Sequence, residues 1–322
     1  MCKSYGGPDV VEIREVPSPT PKDHEILIRV RATTVSAGDA RIRAARFPSG
    51  FALPARLALG LFAPRKPILG TELSGVVERT GRHVTRFAPG DEVIAMTGFA
   101  FAAHAEEATL PESGAVILKP PGLAFEDAAS LPFGGTTALY FLRDIAQLKP
   151  GERVLINGAS GAVGSAAVQL ARHMGANVTA VCSSAHVPLV CSLGADSVID
   201  YTATDFATCG ETFDVLFDAV GNAGFKRCRH LLKSRGRLLL AVAGLMDLLK
   251  APVQSLRSGL KVAGGTAPER AADLEELARL SSDGVFRPVI GERFPFGRIA
   301  DAHTHVDTGH KTGSTVILMD RS

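Results

Sequence analysis

Val154-Leu155-Ile156-Asn157-Gly158-Ala159-Ser160-Gly161-Ala162-Val163-Gly164 decides the fold of this 322-residue chain. It opens on an apolar, β-branched run, the signature of a parallel strand buried on both faces. Small residues follow, and then Ser165-Ala166-Ala167-Val168-Gln169-Leu170-Ala171-Arg172, a good helix former. Strand, tight glycine turn and helix N-terminus together make an anion site. Glycines let the backbone approach a pyrophosphate, and the free N–H groups and dipole of the helix favour its charge. Ser160, Gly161, Ala162 and Val163 would supply those N–H groups. A second strand, Asn177 to Cys182, ends in Ser183-Ser184, where a dinucleotide fold carries its ribose-reading residue.

Working outward, the chain from Val154 alternates strand and helix. Candidate strands are Val154–Ile156, Asn177–Val181, Ser197–Ile199, Val215–Asp218 and Arg237–Ala241, with Val262–Gly264 as an edge. Parallel strands need helical crossovers, so the α/β fold expected here is a doubly wound parallel sheet. Residues 1 to about 120 read instead as mostly β. Glu25–Ala32, Gly75–Glu78 and Asp91–Ala95 are strand candidates, and Pro89-Gly90-Asp91 is a turn. Pro120-Pro121-Gly122 marks a boundary, because consecutive prolines continue neither strand nor helix. Gly135–Leu142, Ala271–Ser281 and Ile299–Val306 are helix candidates, and the tail from Val289 to Met319 adds two more apolar strands. The domain boundaries expected are 1–121, 122–283 and a return segment 284–322.

Composition narrows the function classes. Hydrophobic residues are 46% and charged residues 21%, enough for a large core. Net charge is +2, without the basic block expected of a nucleic-acid surface, and no apolar run is long enough to span a bilayer. Cys2, Cys182, Cys191, Cys209 and Cys228 are dispersed and odd in number, which fits reduced thiols in the cytoplasm.

The order of motifs resembles the medium-chain dehydrogenase/reductase superfamily, in its zinc-free, quinone oxidoreductase-like branch. The matching pieces run through nearly the whole chain: Tyr5-Gly6-Gly7-Pro8-Asp9-Val10, Gly70-Thr71-Glu72-Leu73-Ser74-Gly75-Val76-Val77, Phe87-Ala88-Pro89-Gly90-Asp91-Glu92-Val93, Ala128-Ala129-Ser130-Leu131-Pro132, the glycine turn, Leu193-Gly194-Ala195-Asp196 and Val198-Ile199-Asp200-Tyr201. The resemblance implies a GroES-like, β-rich catalytic domain built from both chain ends, a Rossmann domain between them, a cofactor cleft and commonly a homodimer. Two departures stand out. Only Met1-Cys2-Lys3-Ser4 precede the first motif, so either the usual opening strand is shortened or the start is misassigned, and the usual Asn-Pro-x-Asp reads Ser36-Ala37-Gly38-Asp39.

A catalytic zinc needs three ligands of Cys, His or carboxylate type. The zinc alcohol dehydrogenases carry cysteine and histidine where this chain has Ser36 and Thr71, so no metal is expected. His303, His305 and His310 do not replace them, since helix residues two apart face apart. Without a Lewis acid, the better-suited chemistry is reduction of an electrophilic acceptor. The Ser183-Ser184 pair lacks the carboxylate that selects NAD, so NADPH is favoured. The resemblance carries cofactor contacts onto Ser183, Ser184, Tyr201, Thr137 at an expected helix start, and Lys311 or Ser314. Val220, Ala243 and Gly244 follow strands at the carboxyl edge of the sheet, where open α/β folds bind ligands. Ser36 is the candidate hydrogen-bond donor to a developing oxyanion, and Asp39 orders its loop. The apolar stretch Phe47–Phe62 reads as a lid for a flat or hydrophobic small-molecule acceptor.

The expected activity is therefore hydride transfer from NADPH to a quinone or an α,β-unsaturated carbonyl compound. Three alternatives stay open: an enone reductase with little quinone activity, a non-catalytic nucleotide- or RNA-binding protein like the zeta-crystallins, and a zinc alcohol dehydrogenase.

Overall fold

A computed structural model describes residues 1–319. Its strands, in chain order, are β1 (Glu25–Thr34), β2 (Glu72–Thr80), β3 (Glu92–Met96), β4 (Glu107–Pro111), β5 (Val116–Leu118), β6 (Arg153–Asn157), β7 (Asn177–Cys182), β8 (Ser197–Asp200), β9 (Phe213–Asp218), β10 (Leu232–Leu240), β11 (Lys261–Gly264), β12 (Ile290–Pro295) and β13 (Ser314–Leu318). They form two sheets. One runs β12-β13-β1-β2-β3-β5 with β4 also on β1, and the other runs β11-β10-β9-β6-β7-β8.

Among the described residues the first unit comprises 1–47, 52–133 and 269–319. β1 is its axis, antiparallel to β2, β4 and β13. Alternation along β1 sends Ile26, Ile28 and Val30 into a core with Leu73, Val77, Val93 and Val116. Each such side chain contributes about 1.5–3 kcal/mol by leaving water. The tail does return here: β13 lies between β12 and β1, and Ala32 faces Leu318. Cys2 and Val11 form an isolated antiparallel bridge.

The second unit comprises 48–51 and 134–268. All of its strand pairs are parallel. β6 is central, and Val154, Leu155 and Ile156 are fully buried, as an apolar run without alternation requires. The helix Ala162–His173 crosses over from β6 to β7 and buries eight of its residues.

Some local readings shift. The unit boundaries fall at 133/134 and 268/269, where the sequence suggested 121/122 and 283/284. The reason is packing: helix Phe125–Ser130 lies on β1 and β2, and helix Ala271–Ser282 lies on β5. The helix expected from Gly135 begins at Pro132, since proline is well suited to a first helical turn. It continues through a π-helical stretch, Tyr140–Ala146, and stops at Gln147 in the left-handed region.

Candidate functional site

The glycine turn lies at the carboxyl end of β6. Gly158 has φ +80°, a region L side chains avoid. Gly161 is the extended N-cap of helix Ala162–His173, and no side chain caps it. The first N–H groups of such a helix lack intrahelical partners. A Cβ on Gly164 would stand 2.0 Å from the Gly158 carbonyl oxygen, and one on Gly134 would stand 2.6 Å from that of Ala162. The turn is a tight cradle in which backbone packs on backbone and Gly161 N–H donates to the Gly158 carbonyl at 3.1 Å, with the N–H groups of Ala162 and Val163 at its mouth. Ser160, Gly161, Ala162 and Val163 form it, and this fits a dinucleotide pyrophosphate.

Two residues that sequence reasoning does not single out lock the adjoining loop. Asn157 Nδ2 donates to Asp218 Oδ1 at 2.9 Å and to Asn222 Oδ1 at 2.6 Å. Buried Asp218 accepts the N–H groups of Val220 and Gly221 at 3.0 Å and of Ala223 at 2.8 Å. The fixed loop presents Val220 to solvent, 47% exposed. The available signal was a lone carboxylate ending an apolar parallel strand. After β10, Gly244 caps helix Leu245–Ser258, donates to Asp247 Oδ2 at 3.1 Å, and follows Ala243 at the same sheet edge.

At the end of β7, Ser183 caps the short turn Ser184–His186, and its hydroxyl lies 2.9 Å from His186 Nδ1. Here the sequence expectation needs correction. A carboxylate does stand beside the serines, because β8 runs parallel to β7 and brings Asp200 opposite Cys182. Asp200 accepts the Thr202 hydroxyl at 2.6 Å and its N–H at 2.9 Å, and it bonds to Ser184 as well. Those donors hold its carboxyl below the usual carboxylate range. Tyr201 donates its N–H to the Cys182 carbonyl at 3.1 Å and leaves its ring 48% exposed, so it does not cap the sheet as a core ring. Thr137 is within the helix Pro132–Leu139, not at its start.

The first unit holds the other group. Ser36 and Asp39 close a capping box on helix Ala37–Arg43. Asp39 N donates to Ser36 Oγ at 3.1 Å, Ser36 N to Asp39 Oδ2 at 2.8 Å, and the Ser36 hydroxyl to the same oxygen at 2.6 Å. Asp39 Oδ1 is buried with no protein partner. Behind them lies Glu72, fully buried, which accepts the Thr34 hydroxyl and, at 2.6 Å, the Phe133 N–H. Burial pushes its carboxyl up to about 7, against the pull of those two donors; nearby Asp39 adds to the rise and Lys311 opposes it. Lys311 donates to the Gly313 carbonyl, and burial pulls its ammonium down to about 8 despite Glu72. Ser314, the next contact candidate, is buried at the start of β13. Thr71 Oγ1 is buried without a partner among the described residues. Ser36 and Thr71 offer hydroxyls where a zinc site needs thiolate and imidazole. Among the described residues no group of three His, Cys, Asp or Glu side chains is arranged to hold a metal ion.

Comparison with known proteins adds the following. Residues 22–148 match the family described as alcohol dehydrogenase GroES-like domain, and residues 193–317 match the one described as zinc-binding dehydrogenase. A quinone oxidoreductase of Pseudomonas aeruginosa is 32% identical, over 98% of this chain and 97% of that protein. A component of the pikromycin polyketide synthase of Streptomyces venezuelae is 33% identical over 82% of this chain, which spans 7% of that protein's length. Among solved structures, the quinone oxidoreductase from Coxiella burnetii superposes with a TM-score of 0.87 at 27% identity, covering 99% of this chain and 98% of that one.

Proposed function

The chain belongs to the medium-chain dehydrogenase/reductase superfamily, in its quinone oxidoreductase-like branch, and on that premise we propose that this oxidoreductase reduces a quinone or an α,β-unsaturated carbonyl compound with NADPH. The observation that carries the reading is the uncapped helix behind the Gly158–Gly164 cradle, flanked by the loop that Asp218 fixes. The reduced nicotinamide would supply the hydride, since that chemistry belongs to the cofactor. The chain's own residues bind and orient. Ser160 to Val163 receive the pyrophosphate, Ser183, Ser184 and Tyr201 the adenosine end, and Val220, Ala243, Gly244 and Thr137 the ribose and nicotinamide end. Lys311 and Ser314 are the last contacts carried over. Ser36 is the candidate donor to the oxygen on which negative charge develops; its one hydroxyl proton is held by Asp39 Oδ2 here, so donation to an acceptor requires that bond to be exchanged. Hydroxyls at Ser36 and Thr71 support a zinc-independent reaction, with a hydrophobic small molecule as acceptor.

Asp200 favours a second reading, in which NADH is accepted as well, because a carboxylate beside the ribose repels a 2′-phosphate and can bind the 2′-hydroxyl. We place the protein in the cytoplasm, on its five free thiols, and as a homodimer through the unpaired edge of β11. Among the described residues no helix is long and apolar enough to cross a membrane.

The test is a fluorescence titration with NADPH and with NADH, repeated with 1,4-benzoquinone or an enone present, alongside elemental analysis for zinc. Tight NADPH binding with turnover of either acceptor supports the proposal. Binding without turnover refutes the reaction, preference for NADH refutes the cofactor, and stoichiometric zinc refutes the metal-free mechanism.

A further inference from the structure

The helix Ala52–Leu59 buries none of its residues, although Leu53, Leu57 and Leu59 are apolar. An eight-residue helix in water gains little from its own hydrogen bonds and normally relies on packing an apolar face. This one instead displays it. Leu53 is 67% exposed, and Leu57 follows one turn later on the same side. Gly60, with φ +132°, then turns the chain so tightly that a Cβ there would lie 1.9 Å from the Ala63 carbonyl oxygen. Leu61 and Phe62 stand at the tip, Phe62 87% exposed. Phe99 joins the patch from a separate loop, tied by Lys66 Nζ donating to its carbonyl at 3.1 Å. Single exposed apolar residues are ordinary, but five large ones grouped around one turn mark an interaction surface.

Charge identifies what it meets. From Ala40 to Thr71 the chain carries six basic residues and no Asp or Glu. Arg43 and Arg46 both ion-pair with Asp307. Arg56, Arg65 and Lys66 are not ion-paired among the described residues: Arg56 lies over the Tyr5 ring, Arg65 donates to the Ala58 carbonyl and Lys66 to that of Phe99. The patch therefore combines exposed Leu and Phe side chains with three available cations. A second copy pairing the same patch face to face would set those cations against their like. An anionic bilayer surface satisfies both halves, since apolar side chains enter the headgroup–acyl boundary while Arg and Lys meet lipid phosphates.

We propose that the segment Ala52–Lys66, with Phe99, docks the protein reversibly onto anionic membrane surfaces. It does so without spanning them, and it assigns to most of the stretch read above as an acceptor lid a role that is tested without any turnover assay.

The full-length protein is sedimented with vesicles of 30% phosphatidylglycerol in phosphatidylcholine, and with vesicles of phosphatidylcholine alone. Binding to the first at low salt, at least tenfold weaker to the second and falling steeply by 0.5 M NaCl, is expected. Phe62→Glu and the double variant Arg65→Gln/Lys66→Gln should each reduce binding tenfold or more, with unchanged circular dichroism and melting temperature. Phe62 and both cations are solvent-exposed, so these variants fold. Equal partition to both vesicle types, no binding to either, or variants that bind like wild type would overturn the proposal. So would Phe62→Glu turning a dimer into a monomer in a protein that ignores vesicles, because a second copy would then be the occupant.

Discussion

The imidazoles of His104 and His303 meet edge to face, with ring centroids 5.7 Å apart and planes at 78°. His104 has a partner, its Nε2 lying 2.9 Å from the Thr34 carbonyl oxygen, whereas both ring nitrogens of His303 are buried without one among the described residues. Burial, and then the neighbouring His104 and Arg43, push His303 down to about 2. The folded state thus binds this proton far more weakly than the unfolded chain. Unfolded protein takes up the proton below about pH 6.5, and stability falls with pH from there by up to about 1.4 kcal/mol per unit for one proton. His303→Leu should leave stability at pH 7.5 equal or higher and flatten its decline between pH 6.5 and 4.5. Urea unfolding at a series of pH values measures it; an unchanged slope would rule out His303 as the source.

Asp200 beside Ser184 makes cofactor choice testable. Asp200→Asn removes a charge that repels a 2′-phosphate, so the ratio of NADH to NADPH dissociation constants should move about tenfold toward NADPH. Fluorescence titration with both cofactors reads the ratio directly. No movement would mean that the carboxylate does not face the ribose.

Gly164→Ala puts a methyl against the Gly158 carbonyl oxygen. Helix Ala162–His173 must then move off β6, which opens the cradle. Dinucleotide affinity should fall by roughly tenfold or more and the melting temperature should drop, as overpacking costs typically 1–3 kcal/mol. Retained affinity would show that the turn tolerates displacement.

Ser36→Ala removes both the cap and the proposed oxyanion donor. Loss of the cap should cost about 1 kcal/mol. Loss of the donor should lower kcat about a hundredfold with little change in KM. Ser36→Thr should restore both. A variant that loses only stability would leave Ser36 as a cap and nothing more.

Much of this was legible in the chain. The parallel sheet showed itself because fully buried strands such as Val154–Ile156 are apolar without alternation, and because the glycines that permit close approach lie next to them. The helix Ala37–Arg43 and the capping box that Ser36 and Asp39 close on it are not among the sequence readings, although their spacing of three carried the signal. What hid was contact across strands. Asp200 meets Ser184 through the pairing of β8 with β7, and Glu72 meets Thr34 through that of β2 with β1. Neither neighbour lies within helical or turn distance in sequence. Phe133, the other donor to Glu72, comes from yet another stretch. The start of the helix at Pro132 was obscured by Gly134-Gly135, which are poor helix formers and are kept there because Gly134 packs against the Ala162 carbonyl.

The place of β13 between β12 and β1 sets a timetable for biosynthesis. Ala32, Thr33 and Thr34 are made about 280 residues before their partners Leu318, Ile317 and Val316. At roughly 5–20 residues per second, that half of β1 keeps an open edge for roughly 15–60 s. The parallel sheet has all of its strands by Gly264 and can finish first. Removal of β13 should therefore harm the antiparallel unit while sparing the nucleotide-binding one, and in the living cell the nascent chain should depend on a chaperone that shields the unpaired half of β1.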